Sequence, residues 1–291
     1  MSAATPSSSA ARVIFVNPSS GPDDTDVAAL RERFVDYEVI EGDADGLDDA
    51  IDEALGGGAE VIGVAGGDGS VSCAASHLVD TDHALLVIPA GTRNHFAHDI
   101  SVDDLDAAVR AATADNRTKV DVGDVNGRVF VNNASLGTYT RLVRKREQYE
   151  DRFGKRVANV IAAWSELRHG SHLSVRLDGE PARVWAVFVG NGAYGDGLRD
   201  VSQRESLQEG QLDIWVVRSR GRFSRLRVTA AVLFGRLDRS PLIDRMQTAD
   251  LTVEGRRRVV EVACDGEVVQ LDSPLKFTTR RRALTVLVPR S

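Results

Sequence analysis

Apolar residues follow two different rhythms along this chain. In the first third they gather into short unbroken runs: "RVIFVNP" at 12 to 18, "YEVIE" at 37 to 41, "EVIGVA" at 60 to 65 and "ALLVIPAGT" at 84 to 92. Runs of this length, stopped by Gly, Pro or Asn, predict strands buried on both faces. Between them the spacing turns helical. Val27, Leu30 and Phe34 share one face, Leu47, Ile51, Ala54 and Leu55 share another ahead of "GGG", and "VSCAASHLV" at 71 to 79 predicts a third helix. Strands that alternate with helices predict an α/β domain with a parallel sheet covered on both faces.

Past residue 120 the rhythm becomes strict alternation. "KVDVGDVNGRVFVNNASLG", "HLSVRLDGEPARVWAVFVGN", "QLDIWVVRS", "ADLTVEGRRRVVEVACDGEVVQL" and "ALTVLVP" read as strands, with turns at Asn126-Gly127 and at Asp-Gly or Glu-Gly pairs. Those pairs favour the positive backbone angles of tight hairpins, so the second part is expected to be mostly antiparallel. One helical stripe, Val157, Val160, Ile161, Trp164 and Leu167, interrupts it. The boundary is expected near 122 to 127. The first ten residues, "MSAATPSSSA", read as a disordered tail and carry neither the basic nor the apolar segment of a secretory signal.

Composition narrows the function. No apolar run approaches the roughly 20 residues of a membrane-spanning helix. Two cysteines, Cys73 and Cys264, lie far apart without metal-ligand spacing, which predicts buried thiols in a reducing compartment and a cytoplasmic location. Charge is uneven: residues 1 to 140 hold 8 Lys and Arg against 24 Asp and Glu, and residues 141 to 291 hold 28 against 19. A net charge of −7 argues against general nucleic-acid binding. The basic surplus of the second half is expected to meet something anionic.

The most specific stretch is "VAGGDGSV" at 64 to 71, three glycines around Asp68 after an apolar run. A glycine turn between a strand and a helix exposes backbone N–H groups and lets a phosphate approach closely. Asp68 would repel a bare phosphate, so its presence there points to Mg²⁺ between carboxylate and phosphates. A plain turn with Asp68 as helix N-cap fits the same residues. Two further small turns, "NPSSG" at 17 to 21 and "PAGTRN" at 89 to 94, end the first and fourth strands. Ligands of open α/β sheets bind at such strand ends, so the three turns point to one nucleotide site. Neither GxxxxGK[ST] nor a GxGxxG after the first strand occurs.

Four motifs in order, NP-x-SG, GGDGS, P-x-GT-x-N and a late DGE, resemble those of the diacylglycerol-kinase-type lipid kinases, and the match spans residues 12 to 289. The resemblance implies a nucleotide-binding α/β domain at 11–124, joined by the returning segment 280–291. It implies a β-sandwich-like lipid domain at 125–279, a fold shared with NAD kinase, and an active site in the cleft between the two. It implies an ATP- and Mg²⁺-dependent enzyme that phosphorylates a lipid hydroxyl, diacylglycerol or similar, at the inner membrane face; a homodimer is left open. Asn17, Ser20 and Gly21 would line the nucleotide. Gly66, Gly67, Asp68, Gly69 and Ser70 would hold its phosphates, joined by Gly91, Thr92 and Asn94. Asp68 and Asp121 would form the Mg²⁺-linked carboxylate network. Asp265 and Glu267 in "ACDGEVV" would be the catalytic acids, both on one strand face by their spacing of two; a hairpin turn with both acids solvated fits the same residues.

Three positions depart from the family pattern. Cys73 stands where a Glu is usual, His95 replaces an aspartate of the metal-linked network, and Glu209 in "EGQLD" replaces the Asp of a structural metal site. His95 and His98, three apart, suit a polar surface pair or a nucleotide contact better than a shared metal. Two basic stretches, 141 to 156 with 7 Lys and Arg and 218 to 227 with 5 arginines, suit an anionic membrane surface. Two other readings stay open on sequence alone: an NAD-kinase-like enzyme, and a nucleotide-binding regulatory protein without kinase activity.

Overall fold

The computed structural model describes residues 11–17, 26–92, 94–137, 172–194, 204, 206–219 and 242–290. The expected tail, the helical stripe at 157 to 167 and nearly all of both basic stretches lie outside the described residues. The chain divides into two compact units. The first comprises Met1–Val122, Ser206–Gln208 and Arg280–Ser291; the second comprises Gly123–Glu205 and Glu209–Thr279.

In the first unit, β1 (Arg12–Val16), β2 (Glu38–Glu41), β3 (Val61–Gly66) and β4 (Ala84–Pro89) pair in parallel in the order β2-β1-β3-β4. β4 then takes the C-terminal half of β15 (Leu275–Leu287) as a parallel neighbour through Thr285 and Val286. β3 is buried along its whole length, as an apolar run without alternation requires. The helices are α1 (Val27–Arg33), α2 (Leu47–Gly56), α3 (Asp68–Leu78), α4 (His95–Asp99) and α5 (Leu105–Ala114). α3 buries Val71, Ala74, Ala75 and Leu78, the i, i+3, i+4, i+7 face of its sequence. Leu78, fully buried, contributes roughly 2 kcal/mol.

Strand order fixes where a ligand fits. The chain steps from β1 outward to β2, then crosses back to the other side of β1 to form β3. The sheet reverses direction there, and the carboxyl ends of β1 and β3 flank that reversal. Asn17 follows β1 and Gly67 follows β3.

The second unit is antiparallel. Its strands run β14-β13-β7-β9-β8-β12-β15, with β10 on β9 and β11 at the outer edge of β10. The ranges are β7 (Asn133–Gly137), β8 (Leu173–Leu177), β9 (Glu180–Asn191), β10 (Leu212–Arg218), β11 (Ile243–Thr248), β12 (Asp250–Gly255), β13 (Val259–Cys264) and β14 (Glu267–Asp272). β5 (Arg117–Val125) runs out of the first unit and pairs with β6 (Arg128–Phe130). Three hairpins turn on Asn126-Gly127, Asp178-Gly179 and Asp265-Gly266, each with both residues at positive φ. That is the two-residue turn which matches strand twist and admits Asn, Asp and Gly. The core holds Phe130, Leu136, Val189, Leu212, Ile214 and Phe277. Among the described residues no helix is long and apolar enough to cross a membrane.

Candidate nucleotide and acid sites

The glycine turn after β3 starts a helix earlier than its apolar pattern predicts. Gly67 is the N-cap of α3, with no side chain to cap it, and Asp68 is the first helical residue rather than the cap. The first N–H groups of α3 therefore point outward without a side-chain oxygen from the N-cap. Gly66 has to be glycine, since a Cβ there would lie 2.9 Å from the Ser70 side chain. Among the described residues nothing lies within 4 Å of the Gly69 Cβ position, so they leave that side of the turn open.

The turn after β4 meets this one backbone to backbone. A Cβ on Gly91 would lie 2.4 Å from the Gly67 Cα, so only glycine allows the approach. Asn94, in the left-handed region at φ 50, braces the same turn. Its Oδ1 accepts from the Gly91 N–H at 3.0 Å and its Nδ2 donates to the Gly91 carbonyl at 2.8 Å. Asp68 Oδ1 accepts from the Phe96 N–H at 3.2 Å, tying the head of α3 to α4. Thr92 is exposed beside this turn. Asn17 and Ser70 line one depression with Glu41, Gly42 and Asp43. Ser20 and Gly21 lie outside the described residues.

His95 opens α4, and its Nδ1 is buried without a hydrogen-bond partner among the described residues. His98 instead faces Asp103, with its Nδ1 2.5 Å from Asp103 Oδ1. Asp121, buried on β5, accepts from the Arg282 N–H at 2.7 Å, where β15 bends at φ 51. The carboxylate thus fastens the returning strand.

In the second unit the late acids differ from each other. Asp265 lies in the hairpin turn at φ 47, so strand alternation does not put it on one face with Glu267. Nor is it solvated. Its carboxylate accepts from the Val131, Asn132 and Asn133 N–H groups at 2.8, 2.8 and 2.9 Å. Glu267, the first residue of β14, is exposed and ion-paired with Arg128. Next to them, burial and the Asp265 charge push the Cys264 thiol up to about 12.

The carbonyls of the same 131–133 loop are held by side chains that the motifs do not mark. Arg204 donates to the Val131 carbonyl at 2.6 Å and to Asn132 Oδ1 at 3.0 Å. Asn191 donates to the Val131 carbonyl at 3.0 Å, and the Tyr194 hydroxyl donates to that of Asn132 at 3.0 Å. Fully buried Asp213 accepts from Arg245 through both oxygens, at 2.9 and 2.7 Å, and from the Tyr194 N–H at 3.1 Å. Such a bidentate pair is strong and directional. Asp213 closes "EGQLD", so its place was within reach of the sequence; Arg204 and Arg245 carry no local signal. Glu209 is exposed. The second unit also has a cavity of about 690 Å³ lined by Leu136, Val175, Val253, Val260 and Leu275, with Arg256 and Arg257 among its walls.

Comparison with known proteins covers both units. Residues 11–125 match the family described as "Diacylglycerol kinase catalytic domain", and 137–288 match "YegS C-terminal NAD kinase beta sandwich-like domain". A protein of Mycobacterium tuberculosis (strain CDC 1551 / Oshkosh) named "Diacylglycerol kinase" is 30% identical over 91% of this chain and 88% of its own. A Pseudomonas fluorescens protein named "Probable lipid kinase YegS-like" is 27% identical over 85% and 83%. The crystal structure of a diacylglycerol kinase from Bacillus anthracis str. Sterne superposes with a TM-score of 0.66 at 20% identity, covering 96% of this chain and 97% of that one. A second structure from that organism gives 0.73 at 22% identity over 97% and 99%. At these identities the two structures show the fold: a parallel α/β part and an antiparallel sandwich-like part.

Proposed function

The chain belongs to the diacylglycerol-kinase-type lipid kinases, and from that premise we propose that it moves the terminal phosphoryl group of ATP to a lipid hydroxyl, that of diacylglycerol or a similar alcohol. The observation that carries this reading is the contact of Gly67 with Gly91 at the head of an uncapped helix. The bare turn at Gly67 presents backbone N–H groups and the positive end of α3 to an anion, and Gly91 packs against it. The open side at Gly69 leaves room for phosphates.

Mg²⁺ keeps several waters and needs one or two carboxylates beside phosphate oxygens. Asp68, half-buried where α3 starts, suits that donor set, with Asp121 as the second carboxylate of the network. Glu209 is proposed for a separate structural ion. When bound, the nucleotide's metal neutralises phosphate charge. Asn17 and Ser70, which share a depression, are proposed to line the nucleotide together with Ser20, Gly21 and Thr92, and Asn94 keeps the second turn in shape.

Transfer to an alcohol also needs a group to take the hydroxyl proton. Asp265 and Glu267 are proposed for that step, Asp265 rigidly held and Glu267 exposed to exchange protons. The apolar cavity of the second unit suits an acyl chain, and its size falls within the range of small-molecule sites. The basic surplus of the second half suits an anionic leaflet.

Purified protein incubated with labelled ATP, Mg²⁺ and a panel of lipids tests this reading. Label is expected on one class of lipid alcohol and only with the metal present. ATP binding without any labelled lipid would favour a nucleotide-binding regulator, and label on NAD would favour an NAD kinase.

A further inference from the structure

Away from the glycine turns, α2 and α3 pack side by side and each offers a pair of side chains at the i, i+4 spacing. α2 contributes Asp48 and Asp52, and α3 contributes Cys73 and His77. Residues four apart lie on one helix face, so the two pairs meet across the seam. His77 Nε2 is 2.9 Å from Asp48 Oδ1, and Cys73 Sγ is 3.4 Å from that same oxygen. His77 Nδ1 is 2.8 Å from Asp52 Oδ1. Among the described residues this is the one group of three or more His, Cys, Asp and Glu whose donor atoms gather within 4.8 Å, formed by Asp48, Cys73 and His77.

We propose that Asp48, Cys73 and His77 form a binding site for a divalent transition-metal ion of the zinc class, distinct from the Mg²⁺ of the nucleotide. The donors are a thiolate, an imidazole nitrogen and a carboxylate. That set suits borderline-soft Zn²⁺ and its tetrahedral preference, whereas Mg²⁺ prefers oxygen alone. Asp52 acts from behind. It accepts the Nδ1–H of His77, which fixes the tautomer and turns Nε2 toward Asp48 and Cys73, the arrangement by which carboxylates orient metal-ligating histidines. Water takes the fourth position. The side chains are accessible: Asp48 is 70% exposed and the His77 side chain 17%.

Two carboxylates face the imidazole and the thiol across the seam, so the cluster is placed to attract a cation. A metal ion that binds here displaces the thiol proton of Cys73 and any proton on Nε2, so binding weakens in acid. Because α3 begins at the glycine turn, an ion here would hold the helix that carries Asp68 against α2.

Titration of the full chain with Co²⁺, read as thiolate-to-metal charge-transfer absorbance, tests the site without recourse to kinase activity. Wild type is expected to give one equivalent of the band, reversed by Zn²⁺. Cys73→Ser abolishes it, His77→Ala and Asp48→Asn weaken binding at least tenfold, and Asp52→Asn weakens it about tenfold through His77. Thermal melts show whether each variant is folded. As a second readout, Zn²⁺ should slow alkylation of Cys73 in wild type, with buried Cys264 as the unreactive internal control. No thiolate band, or equal Zn²⁺ affinity in wild type and Cys73→Ser, overturns the proposal and leaves the cluster as an ion-paired helix seam.

Discussion

Asp68 and Gly69 open α3 and Gly91 lies in the turn after β4, and the structure gives each a different reason to be there. Gly91 is required by the protein itself, because a Cβ would strike the Gly67 backbone at 2.4 Å. Gly91→Ala is expected to destabilise the fold by about 1–3 kcal/mol, seen as a lower melting temperature. A Cβ on Gly69 would meet none of the described residues, so Gly69→Ala should leave stability unchanged or raise it by up to about 1 kcal/mol, since alanine favours a helix. If the open side receives phosphates, the same substitution weakens nucleotide binding, which calorimetry measures. Asp68→Ala is expected to lower Mg²⁺-ATP affinity at least tenfold, about 1.4 kcal/mol. Unchanged affinity in a folded variant would remove Asp68 from the site. Chemistry of this kind is legible in sequence where local backbone demands show as glycine. The GGDGS stretch is one case. The braces are not, because Asn94 to Gly91 and Asp265 to the 131–133 loop depend on where a side chain turns. The two thiols also separate: at about pH 8.5, near the ordinary thiol pKa, native protein should be alkylated at Cys73 and spared at Cys264, which burial holds at about 12.

At the scale of elements, the four parallel strands and the three Gly-containing hairpin turns could be read directly, since apolar runs and positive-φ residues are local signals. Two elements escaped. α5 buries Ala107, Ala108, Ala111 and Ala112, a stripe of alanines too weak to stand out by hydrophobicity. β11, "IDRMQT", is an edge strand with exposed charges, and it exists because β10 offers a free edge with Arg245 reaching buried Asp213. Only the last part of β15 is legible as a strand, because Lys276 and the consecutive Arg280, Arg281 and Arg282 break the apolar pattern before it. The hairpin of β13 and β14 yields a prediction about its turn. Asp265→Asn removes the charge that three N–H groups share and turns an amide toward donors, so it should cost about 1–3 kcal/mol in a denaturant melt. Glu267→Gln, exposed at the start of β14, should leave the melt within about 0.5 kcal/mol. If Glu267 takes the substrate proton, turnover falls by about 10² to 10⁴ with ATP binding retained. Parallel losses of binding and rate would mark it as structural.

For the whole molecule, charge is the property with a consequence at the membrane. The first 140 residues are strongly acidic and the remainder basic, a division that composition alone reveals. Each basic residue near an anionic leaflet contributes roughly 1 kcal/mol, reduced by salt. Co-sedimentation with vesicles is therefore expected to rise with anionic lipid and fall with salt. The triple variant Arg222→Glu/Arg225→Glu/Arg227→Glu should lose most of it. If that variant sediments as wild type does, the 218 to 227 stretch is not the contact. The central claim, phosphoryl transfer to a lipid through the glycine turns, is tested most directly by phosphate incorporation from labelled ATP into diacylglycerol-containing anionic vesicles, with wild type and Asp68→Ala compared side by side. Mg²⁺-dependent label is expected in the lipid fraction with wild type, reduced at least tenfold in Asp68→Ala. Label that is equal in the two proteins, or absent from every lipid alcohol offered while ATP still binds, would contradict it.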